Sequence, residues 1–408
     1  MQIYLVGGAV RDTLLNIPMK DKDWVVVGST PEELISQGYS QVGADFPVFL
    51  HPKTKEEYAL ARTERKSGGG YQGFKCDFNP DITLEEDLLR RDLTINAMAQ
   101  DENGQLYDPY NGQQDIVLKK LRHVSEAFSE DPLRVLRVAR FASRFAHLGF
   151  TIADETIALM RDIAKSGELE LLTPERVWQE TERALAESQP WVYFQALREC
   201  GALAVIFPEI DRLFGIPQPA KHHPEIDCGI HSLMVLEQAC RLTSDINIRW
   251  ASLLHDLGKG LTREALLRSH HGQEQSGGKL VIKLNKRLKT PTEFKDLSRL
   301  VCLYHTHIHR AFELKPGTII KLFNSIDVWR KPDRLQQILI ACKADSRGRT
   351  GFENVEYPQV EYISELANAC LHVTAKQFVA QGLTGKAIGE AIEKERIEVI
   401  SRLKKTLD

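Results

Sequence analysis

Up to about residue 115 the chain alternates short apolar runs with polar breaks, and from about 120 its apolar residues recur at a helical spacing. The runs at 3–6, 24–27, 48–50 and 58–61 are rich in β-branched and aromatic residues, which is typical of short strands. A glycine-rich stretch, KSGGGYQG at 66–73, predicts a flexible loop beside a site. The pattern predicts an α+β fold, in which an N-terminal mixed α/β head is followed by all-α regions.

The helical region is interrupted by a proline-rich stretch, FPEIDRLFGIPQPAKHHPEID, at 207–227. A chain of 408 residues is also longer than one hydrophobic core usually supports. We therefore expect four parts: a catalytic head at 1–120, a helical neck and body at 121–225, a further helical domain at 226–350 and a helical tail at 351–408.

Composition and charge narrow the class of protein. The net charge of −3 gives no overall basic character, so a nucleic-acid partner would have to meet a local basic surface. The seven cysteines form no CxxC pair, which favours free thiols in a reducing compartment. We find no run of membrane-spanning length, no signal peptide and no dinucleotide-binding or P-loop glycine motif, and we expect a cytoplasmic protein.

The opening sequence, LVGGAVRD followed by KDKDW, places two glycines, an arginine and two aspartates around the first two strands. Asp21 and Asp23 alternate along an extended segment and so point to the same side. Such carboxylates repel each other unless a cation lies between them, although a plain polar turn would use the same residues. Gly7 and Gly8 allow backbone N–H groups to approach a phosphate, and Arg11 adds a forked donor. A phosphate site beside a carboxylate pair indicates metal-dependent phosphoryl transfer.

The segment EDPLRVLRVARF at 130–141 predicts a helix with Ser129 as its N-cap and Pro132 in its first turn. At 100° per residue, four charged residues fall on one continuous stripe: Asp131, Arg134, Arg137 and Arg140. Apolar residues cover most of the remaining surface, and a helix that is apolar nearly all round is normally buried. The stripe is either a solvated face or, as we favour, the lining of an interior cleft for an anionic ligand.

Four blocks in this order and spacing resemble the DNA polymerase β nucleotidyltransferase superfamily, and within it the class II tRNA nucleotidyltransferases and bacterial poly(A) polymerases. The blocks are LVGGAVRD with KDKDW, RRDLTINAMA at 90–99, DPYNGQQDI at 108–116 and EDPLRVLRVARF. A His-Asp segment at 255–256 narrows the resemblance to the bacterial class II CCA-adding enzymes, over most of the chain. The resemblance implies a nucleotidyltransferase head, a helical neck and body, and a C-terminal HD domain.

The resemblance also assigns roles to residues of the head. It implies that Asp21 and Asp23 are catalytic and bind two Mg²⁺ ions. A third carboxylate is common in this superfamily, and the sequence does not choose between Glu57 and Glu64. Asp92 is expected to cap the start of a helix. It implies that Gly8 and Arg11 contact the triphosphate of the nucleotide. The other residues implied to bind the nucleotide are Arg91, Arg137 and Arg140.

Asp131 and Arg134 provide a chemical basis for choosing a base. Cytosine and adenine present an amino donor beside a ring-nitrogen acceptor, whereas uracil and guanine present the reverse. A carboxylate accepts from the amino group while a guanidinium donates to the ring nitrogen. Uracil or guanine would place acceptor against acceptor, and buried mismatches of that kind are heavily penalised. One Asp–Arg pair would therefore admit C and A and reject U and G.

A second group of ligand-type residues lies in the helical region: His231, the adjacent His255 and Asp256, and Asp345. We expect Gly258 to end the helix that carries the His-Asp pair. The pattern resembles the metal-dependent HD phosphohydrolases, and it implies a divalent metal such as Ni²⁺ or Mg²⁺. The implied activities are phosphatase and 2′,3′-cyclic phosphodiesterase. Weaker candidates, expected at the surface or behind the ligands, are His270, His271 and His305.

These features predict an enzyme that adds CCA to tRNA from CTP and ATP without a template, with an added phosphohydrolase domain. The partners would be tRNA, CTP and ATP, with no membrane, and a homodimer is left open. Candidate contacts for RNA, any one of which is more simply a solvated surface residue, are Arg176, Arg183, Arg198, Lys283, Lys286, Arg287 and Lys289.

Three alternatives remain open from the sequence. A poly(A) polymerase would share the head but need only ATP. A protein-modifying uridylyltransferase also joins such a head to an HD domain, but Asp131 facing uracil argues against it. An RNA-binding protein with inactive sites is disfavoured by the intact Asp21 and Asp23 pair.

Overall fold

The computed structural model describes residues 1–19, 21–42, 48–66, 74–219, 223–261 and 272–407, with only the backbone at 64–66, 74–76 and 407. The chain divides into two units, Met1–Ile206 and Phe207–Asp408, named unit 1 and unit 2. Most of the glycine-rich stretch predicted as a loop, residues 67–73, lies outside the described residues.

The predicted strand runs all form strands in unit 1. The strands among the described residues are β1 (Gln2–Val6), β2 (Asp23–Val27), β3 (Ser40–Val42), β4 (Val48–Leu50), β5 (Glu57–Leu60), β6 (Thr63–Lys66), β7 (Phe74–Asp77), β8 (Ala99–Gln100), β9 (Leu106–Tyr107), β10 (Lys120–Leu121) and β11 (Thr151–Ile152).

Within the described part of unit 1, seven strands form one sheet in the order β3-β4-β5-β2-β1-β8-β9. The central strand β2 runs antiparallel to β1 and parallel to β5. Val25 and Val26 of β2 belong to separate buried clusters, because successive residues of a strand project to opposite faces. The sheet is therefore covered on both faces, and Asp23 lies where β2 begins.

Helices complete unit 1. Among the described residues they are α1 (Gly8–Leu14), α2 (Pro31–Ser36), α3 (Leu84–Leu89), α4 (Gly112–Leu118), α5 (Leu133–Phe145), α6 (Asp154–Lys165), α7 (Pro174–Ala186), α8 (Trp191–Glu199) and α9 (Ala202–Ile206). Helix α5 packs against α7 and α8 and is buried along most of its length. The head therefore continues into a helical layer.

The expected N-cap of α5 is wrong. Ser125, not Ser129, accepts a backbone hydrogen bond, and it starts a separate 3₁₀ turn, Glu126–Glu130. Asp131 then adopts an extended conformation, with φ −117° and ψ 102°. The reason is Pro132, whose ring disfavours the helical conformation in the residue that precedes it. Helix α5 consequently begins at Leu133, and Asp131 stands just outside it.

Unit 2 is helical throughout its described residues. The helices are α10 (Pro208–Asp211), α11 (Cys228–Leu242), α12 (Ile246–Leu254), α13 (Gln273–Leu288), α14 (Thr292–His309), α15 (Pro316–Ile326), α16 (Pro332–Arg347), α17 (Gln359–Leu371), α18 (Ala375–Val379) and α19 (Lys386–Leu407). Helices α12, α14 and α16 pack on one another and share a buried core with α15 and α17. The predicted α+β fold, with a mixed head followed by helices, is confirmed.

Gly258 does not end a helix, contrary to expectation. Helix α12 ends at Leu254, and Gly258 lies inside a following 3₁₀ helix, Leu257–Leu261. A Cβ at Gly258 would overlap the carbonyl group of Gln273, so glycine is required there for close approach to α13. On α13, a Cβ at Gly277 would come within 2.9 Å of the Gly258 nitrogen. Paired glycines thus set the position of the turn that follows the His-Asp pair.

None of the described helices combines the length and the apolar composition that a membrane span needs.

Gly277→Ala should destabilise unit 2. The added methyl group would lie 2.7 Å from the Cys302 sulfur and 2.9 Å from the Gly258 nitrogen. Overpacking of this kind costs about 1–3 kcal/mol, which exceeds the gain of about 1 kcal/mol in helix propensity. Gly389→Ala in α19 is the control, because among the described residues no side chain and no backbone of another element lies within 4 Å of its Cβ position. Denaturant unfolding should show a loss for the first variant and no loss for the second, and equal behaviour would refute the packing argument.

Candidate active sites

A cavity of about 690 Å³ in unit 1 is lined by carboxylates and by a larger number of arginines. Every residue that the sequence analysis placed at the catalytic and nucleotide sites lies in its wall. These residues are Gly8, Arg11, Asp21, Asp23, Arg91, Asp131, Arg134, Arg137 and Arg140. The structure therefore brings together segments separated by more than a hundred positions along the chain.

The carboxylates gather around the start of β2. Asp23 pairs in register with Val6 of β1 and with Glu57 of β5. Asp21, Asp23 and Glu57 all line the cavity, whereas the side chain of Glu64 lies outside the described part of the structure. Burial raises the pKa of Asp23, with Arg91 opposing this rise and Asp21 adding to it. A cation beside these oxygens would favour the ionised form of Asp23, and Mg²⁺ is usually bound through one or two carboxylates together with substrate phosphates.

The glycine turn between β1 and α1 lies against Arg91. Gly7 has φ +68°, and a Cβ there would come within 2.8 Å of the Arg91 Nη1 atom. The Gly7 N–H donates to the Met98 carbonyl, so it is already used within the sheet. The backbone conformation therefore favours glycine at position 7, and a larger residue would also displace the Arg91 guanidinium.

Arg11 is held in place before any ligand arrives. Its Nη1 atom donates to Asn96 Oδ1 at 2.5 Å and its Nε atom to Asp12 Oδ1 at 2.8 Å. The guanidinium carbon lies 5.0 Å from the centre of the Phe145 ring. Burial lowers the pKa of Arg11, with Asp12 opposing the effect. Asp12 and Asn96 lie inside the sequence blocks LVGGAVRD and RRDLTINAMA, but no role was predicted for either residue.

Asp92 is a partner of arginine rather than a helix cap, contrary to expectation. The 3₁₀ helix Thr94–Asn96 starts two residues later and receives no side-chain cap. Asp92 accepts from Arg137 Nε at 2.8 Å and from Asn96 Nδ2 at 2.9 Å. Burial alone would raise the pKa of Asp92, but Arg137 and Asn96 outweigh burial and hold it well below its usual value. Asp92 therefore orients Arg137 as an ionised carboxylate.

The charged stripe of α5 faces the interior. Arg134 and Arg140 are almost completely buried, at 7% and 8% exposure, which excludes a solvated face. Arg140 Nε donates to Glu180 Oε2 at 2.6 Å, and its guanidinium lies 4.4 Å from the Phe141 ring centre. Glu180 of α7 was missed by the sequence analysis. Its signal was weak, because Glu180 is one of two acids, with Glu182, between Arg176 and Arg183 on one helix.

Asp131 and Arg134 line the same cavity but are held by different partners. Asp131 Oδ2 accepts from Arg176 Nη2 at 2.8 Å, and its Oδ1 accepts from the Leu133 N–H. Arg134 donates to the carbonyl oxygens of Ala127 and Arg90, at 2.7 and 2.6 Å. A carboxylate has about four lone-pair positions, so Asp131 keeps the capacity to accept from a ligand. Arg176 thus joins the site as the residue that orients Asp131.

The second group of ligand-type residues converges in unit 2. His231 Nε2 lies 3.1 Å from Asp345 Oδ1, and His255 Nε2 lies 3.5 Å from the same oxygen. His255 Nε2 is also 3.1 Å from Asp256 Oδ2. Helices α11, α12 and α16 carry or directly precede these residues, which are all buried. The four predicted residues therefore form one cluster.

The histidines of this cluster have the orientation of metal ligands. The Nδ1 atom of His231 lies 3.0 Å from the Gly348 carbonyl oxygen, and the Nδ1 atom of His255 lies 2.8 Å from the Ser252 carbonyl oxygen. Since a carbonyl only accepts, Nδ1 carries a proton in each ring, and Nε2 is the nitrogen that faces the carboxylates of the cluster. His255 Nε2 and Asp256 Oδ1 are buried without a hydrogen-bond partner among the described residues. Two imidazoles and two carboxylates therefore fit a divalent metal.

Other residues surround this cluster. His305, a weaker candidate from the sequence, points Nε2 at Asp256 Oδ1 from 3.6 Å, while His270 and His271 lie outside the described residues. The analysis missed His309, which lies one turn further along α14 and donates from Nε2 to Asp345 Oδ2 at 2.7 Å. It also missed Lys259, 2.6 Å from Asp256 Oδ2. The four-residue spacing of His305 and His309 was a usable signal.

The comparisons with known proteins match domains in both units. Residues 3–122 match the Poly A polymerase head domain, residues 149–214 match a probable RNA- and SrmB-binding site of polymerase A, and residues 229–347 match the HD domain. The fold and its sites thus define a nucleotidyltransferase that carries an HD domain, and domains of both kinds are metal-dependent in general.

Relatives give a narrower assignment. The multifunctional CCA protein of Hahella chejuensis is 60% identical over 99% of this chain and 96% of its own. That of Actinobacillus pleuropneumoniae serotype 5b is 59% identical over 99% of both chains. The chain therefore belongs to the family of multifunctional CCA proteins. A Thermotoga maritima CCA-adding enzyme complexed with tRNA has the same fold, with TM-score 0.62 and 21% identity over 100% of this chain and 92% of that one.

Glu180→Gln should destabilise unit 1, because it removes the charge that compensates the buried guanidinium of Arg140. Breaking one side of a buried ion pair costs about 3 kcal/mol or more. Glu182→Gln on the same helix is the matched control, since Glu182 makes no ion pair among the described residues. Urea unfolding followed by circular dichroism should separate the two variants. Similar losses in both would show that the pair contributes nothing specific.

Proposed function

We propose that this protein adds and repairs the 3′-terminal CCA of tRNA from CTP and ATP without a nucleic-acid template. The observation that carries the proposal is one cavity in which Asp21, Asp23 and Glu57 share a wall with Asp131 and Arg134. The first three residues suit metal-assisted transfer of a nucleotide, and the other two suit selection of a base. Relatives that are 59–60% identical over nearly their whole length carry the name multifunctional CCA protein.

The carboxylate side would hold Mg²⁺. Bound there, Mg²⁺ activates the 3′-hydroxyl of the RNA and stabilises the triphosphate and the departing pyrophosphate. Asp21 and Asp23 are the ligands in this proposal, and Glu57 supplies the third carboxylate, because it is paired in register with Asp23. Gly8, Arg11 and Arg91 contact the triphosphate and sugar. Arg11 can do so without reorganisation, since Asn96 and Asp12 already fix its guanidinium.

Selection of the base would depend on the other side of the cavity. Asp131 accepts the amino group of cytosine or adenine, while Arg134 donates to the neighbouring ring nitrogen. Arg176 holds the Asp131 carboxylate through a 2.8 Å hydrogen bond, and the peptide carbonyls of Ala127 and Arg90 hold Arg134. Arg137 and Arg140 bind the nucleotide from positions set by Asp92 and Glu180. A site fixed in this way penalises uracil and guanine, which cannot satisfy it.

The HD domain would add metal-dependent phosphatase and 2′,3′-cyclic phosphodiesterase activity. His231, His255, Asp256 and Asp345 are the proposed ligands of a divalent ion, Ni²⁺ or Mg²⁺. Such an ion would activate a water molecule for attack and would polarise the phosphorus centre. Lys259 offsets the charge of Asp256 through their 2.6 Å contact. An enzyme that rebuilds tRNA ends would thereby also clear damaged phosphate ends.

The remaining assignments concern organisation and surroundings. We propose a catalytic head at 1–120, a neck and body at 121–225, the HD domain at 226–350 and a tail at 351–408. We further propose that the protein acts in the cytoplasm, and a homodimer remains compatible with it. Arg176 and Arg183 line the cavity and are assigned to it rather than to tRNA. Proposed contacts for the tRNA backbone are Arg198, Lys283, Lys286, Arg287 and Lys289.

A tRNA transcript that lacks its last three nucleotides tests the proposal. With Mg²⁺ and CTP alone we expect two additions, and a third only when ATP is also present. Products are measured at single-nucleotide resolution on a denaturing gel. A long A tail would instead indicate a poly(A) polymerase, and addition of U would indicate a uridylyltransferase. Asp23→Asn should abolish addition while leaving hydrolysis of a 2′,3′-cyclic nucleotide intact, and His255→Ala should do the reverse.

Asp131→Ala should weaken base selection more than it weakens catalysis. Loss of the acceptor removes the mismatch that uracil would meet, so the preference for CTP over UTP should fall about 10- to 100-fold. The ratio of the two kcat/KM values measures this preference on the same tRNA transcript. Asp162→Ala is a control at an exposed position of α6 away from the cavity. An unchanged ratio in Asp131→Ala would remove Asp131 from the selection mechanism.

A further inference from the structure

A second cavity, of about 550 Å³, lies in unit 2 beside the proposed metal ligands. Asp256, His305, His309 and Asp345 contribute to its wall. The wall also contains residues that metal chemistry does not require: Arg349, Phe352, Val355, Tyr357, Pro358 and Gln359. A volume of this size is typical of pockets for molecules such as a mononucleotide. The cavity is therefore larger than a bare phosphate group would need.

Residues 348–359 carry the part of the cavity wall that lies outside the metal ligands, and this segment is attached to the metal-ligand cluster. It begins at Gly348, whose carbonyl accepts the Nδ1–H of His231 at 3.0 Å. A Cβ at Gly348 would lie 2.8 Å from the backbone nitrogen of Val235 in α11, so only glycine allows this approach. Phe352 N–H donates to the Arg349 carbonyl at 2.9 Å and closes the following turn. The position of Phe352 relative to the ligands is thereby determined by the fold.

Phe352 presents an aromatic surface at this cavity. The residue is 36% exposed, so part of its side chain is open to solvent in the wall of the cavity. The Arg349 guanidinium lies 4.7 Å from the centre of the Phe352 ring, and the Arg349 Nε–H donates to the Ser346 carbonyl oxygen at 2.9 Å. The arginine thus supports the ring and places a positive charge beside it. Val355 and Pro358 extend the apolar part of the wall.

Gln359 adds a polar group with capacity for a ligand. Its Nε2 atom donates to the His309 carbonyl at 3.1 Å, which orients the amide. Its Oε1 atom is buried and has no hydrogen-bond partner among the described residues. An amide oxygen in this state accepts from a hydroxyl or an amino group. Ribose hydroxyls and base amino groups are donors of this kind.

We propose that Phe352, Arg349 and Gln359 form a nucleoside subsite, which binds the terminal nucleoside of an RNA end while its phosphate lies at the metal ligands. The base stacks on the exposed surface of Phe352, Arg349 supports the ring and attracts the phosphate, and Gln359 accepts from the nucleoside. This inference rests on the proposed phosphohydrolase function of the same site. The subsite makes the HD domain selective for nucleoside phosphates over small phosphate esters, because stacking requires a base.

The test compares two substrates in the full-length protein with Ni²⁺ or Mg²⁺. One is adenosine 2′,3′-cyclic phosphate, and the other is glycerol 1,2-cyclic phosphate, which has no base. Phe352→Ala should raise KM about 10-fold for the nucleoside substrate only, with little change in kcat. Phe352→Trp should restore the lower KM. Phe312→Ala is the matched control, because Phe312 is also an exposed phenylalanine of unit 2 but does not line the cavity.

A binding measurement separates this inference from the proposed function. Titration calorimetry with adenosine, which has no phosphate to hydrolyse, should show about 10-fold weaker binding to Phe352→Ala than to the wild type. If the wild type hydrolyses neither cyclic phosphate, the phosphohydrolase function fails, and calorimetry still decides the subsite. Equal binding by the wild type and Phe352→Ala, or an equal rise in KM for both substrates, would overturn the subsite.

Discussion

Guanidinium groups in the interior of unit 1 are each held by a buried acceptor, and the nucleotide cavity depends on this pairing. Glu180 binds Arg140, and Asp92 binds Arg137. Asp12 binds both Arg11 and Arg144. Removing a charge from water is costly unless a partner replaces the lost hydration, so these carboxylates are what allow the arginines to stay inside. They also fix the orientation of each guanidinium before a triphosphate arrives, which lowers the cost of binding.

In unit 2, backbone carbonyls rather than carboxylates orient the side chains of the site. Its inward-facing histidines must present a lone pair rather than a proton if they are to bind a metal. The Nδ1–H of His231 donates to the Gly348 carbonyl. The Nδ1–H of His255 donates to the Ser252 carbonyl, and that of His305 donates to the Val301 carbonyl. The orientation of each ring is therefore set by a backbone carbonyl, from the preceding turn for His255 and His305 and from the end of α16 for His231. In both units the groups that would contact a ligand are held by neighbours that would not.

Close approach of backbone segments links these sites to the fold. Gly7 leaves room for the Arg91 guanidinium next to the first strand, and Gly258 leaves room for α13 next to the His-Asp pair. Gly348 does the same between α11 and the end of α16, where the proposed nucleoside subsite begins. At each position a methyl group would occupy space already taken by another group. These three glycines thus allow the close approaches that place the site residues, in addition to any turn that they form.

Local patterns of the sequence were sufficient to predict the fold class and the two candidate sites. The strand runs and the helical region follow from short-range spacing, and the structure confirms them. The Asp21–Asp23 pair lies in the wall of one cavity, and the His255–Asp256 pair lies beside Asp345. Some local expectations were wrong, because the sequence offers several caps and turns of similar merit. Pro132 moved the start of α5, and Gly258 serves close packing rather than a helix end.

Only the tertiary structure decided which side chains meet. Strand register placed Glu57 beside Asp23, and helix packing placed Arg176 on Asp131. The Arg144–Asp12 ion pair joins residues 132 positions apart, and no spacing rule reaches that far. The physical reason is that periodicity reports how a segment turns its own side chains. The partner that each side chain finds depends on the register and crossing of elements that only the folded chain brings together.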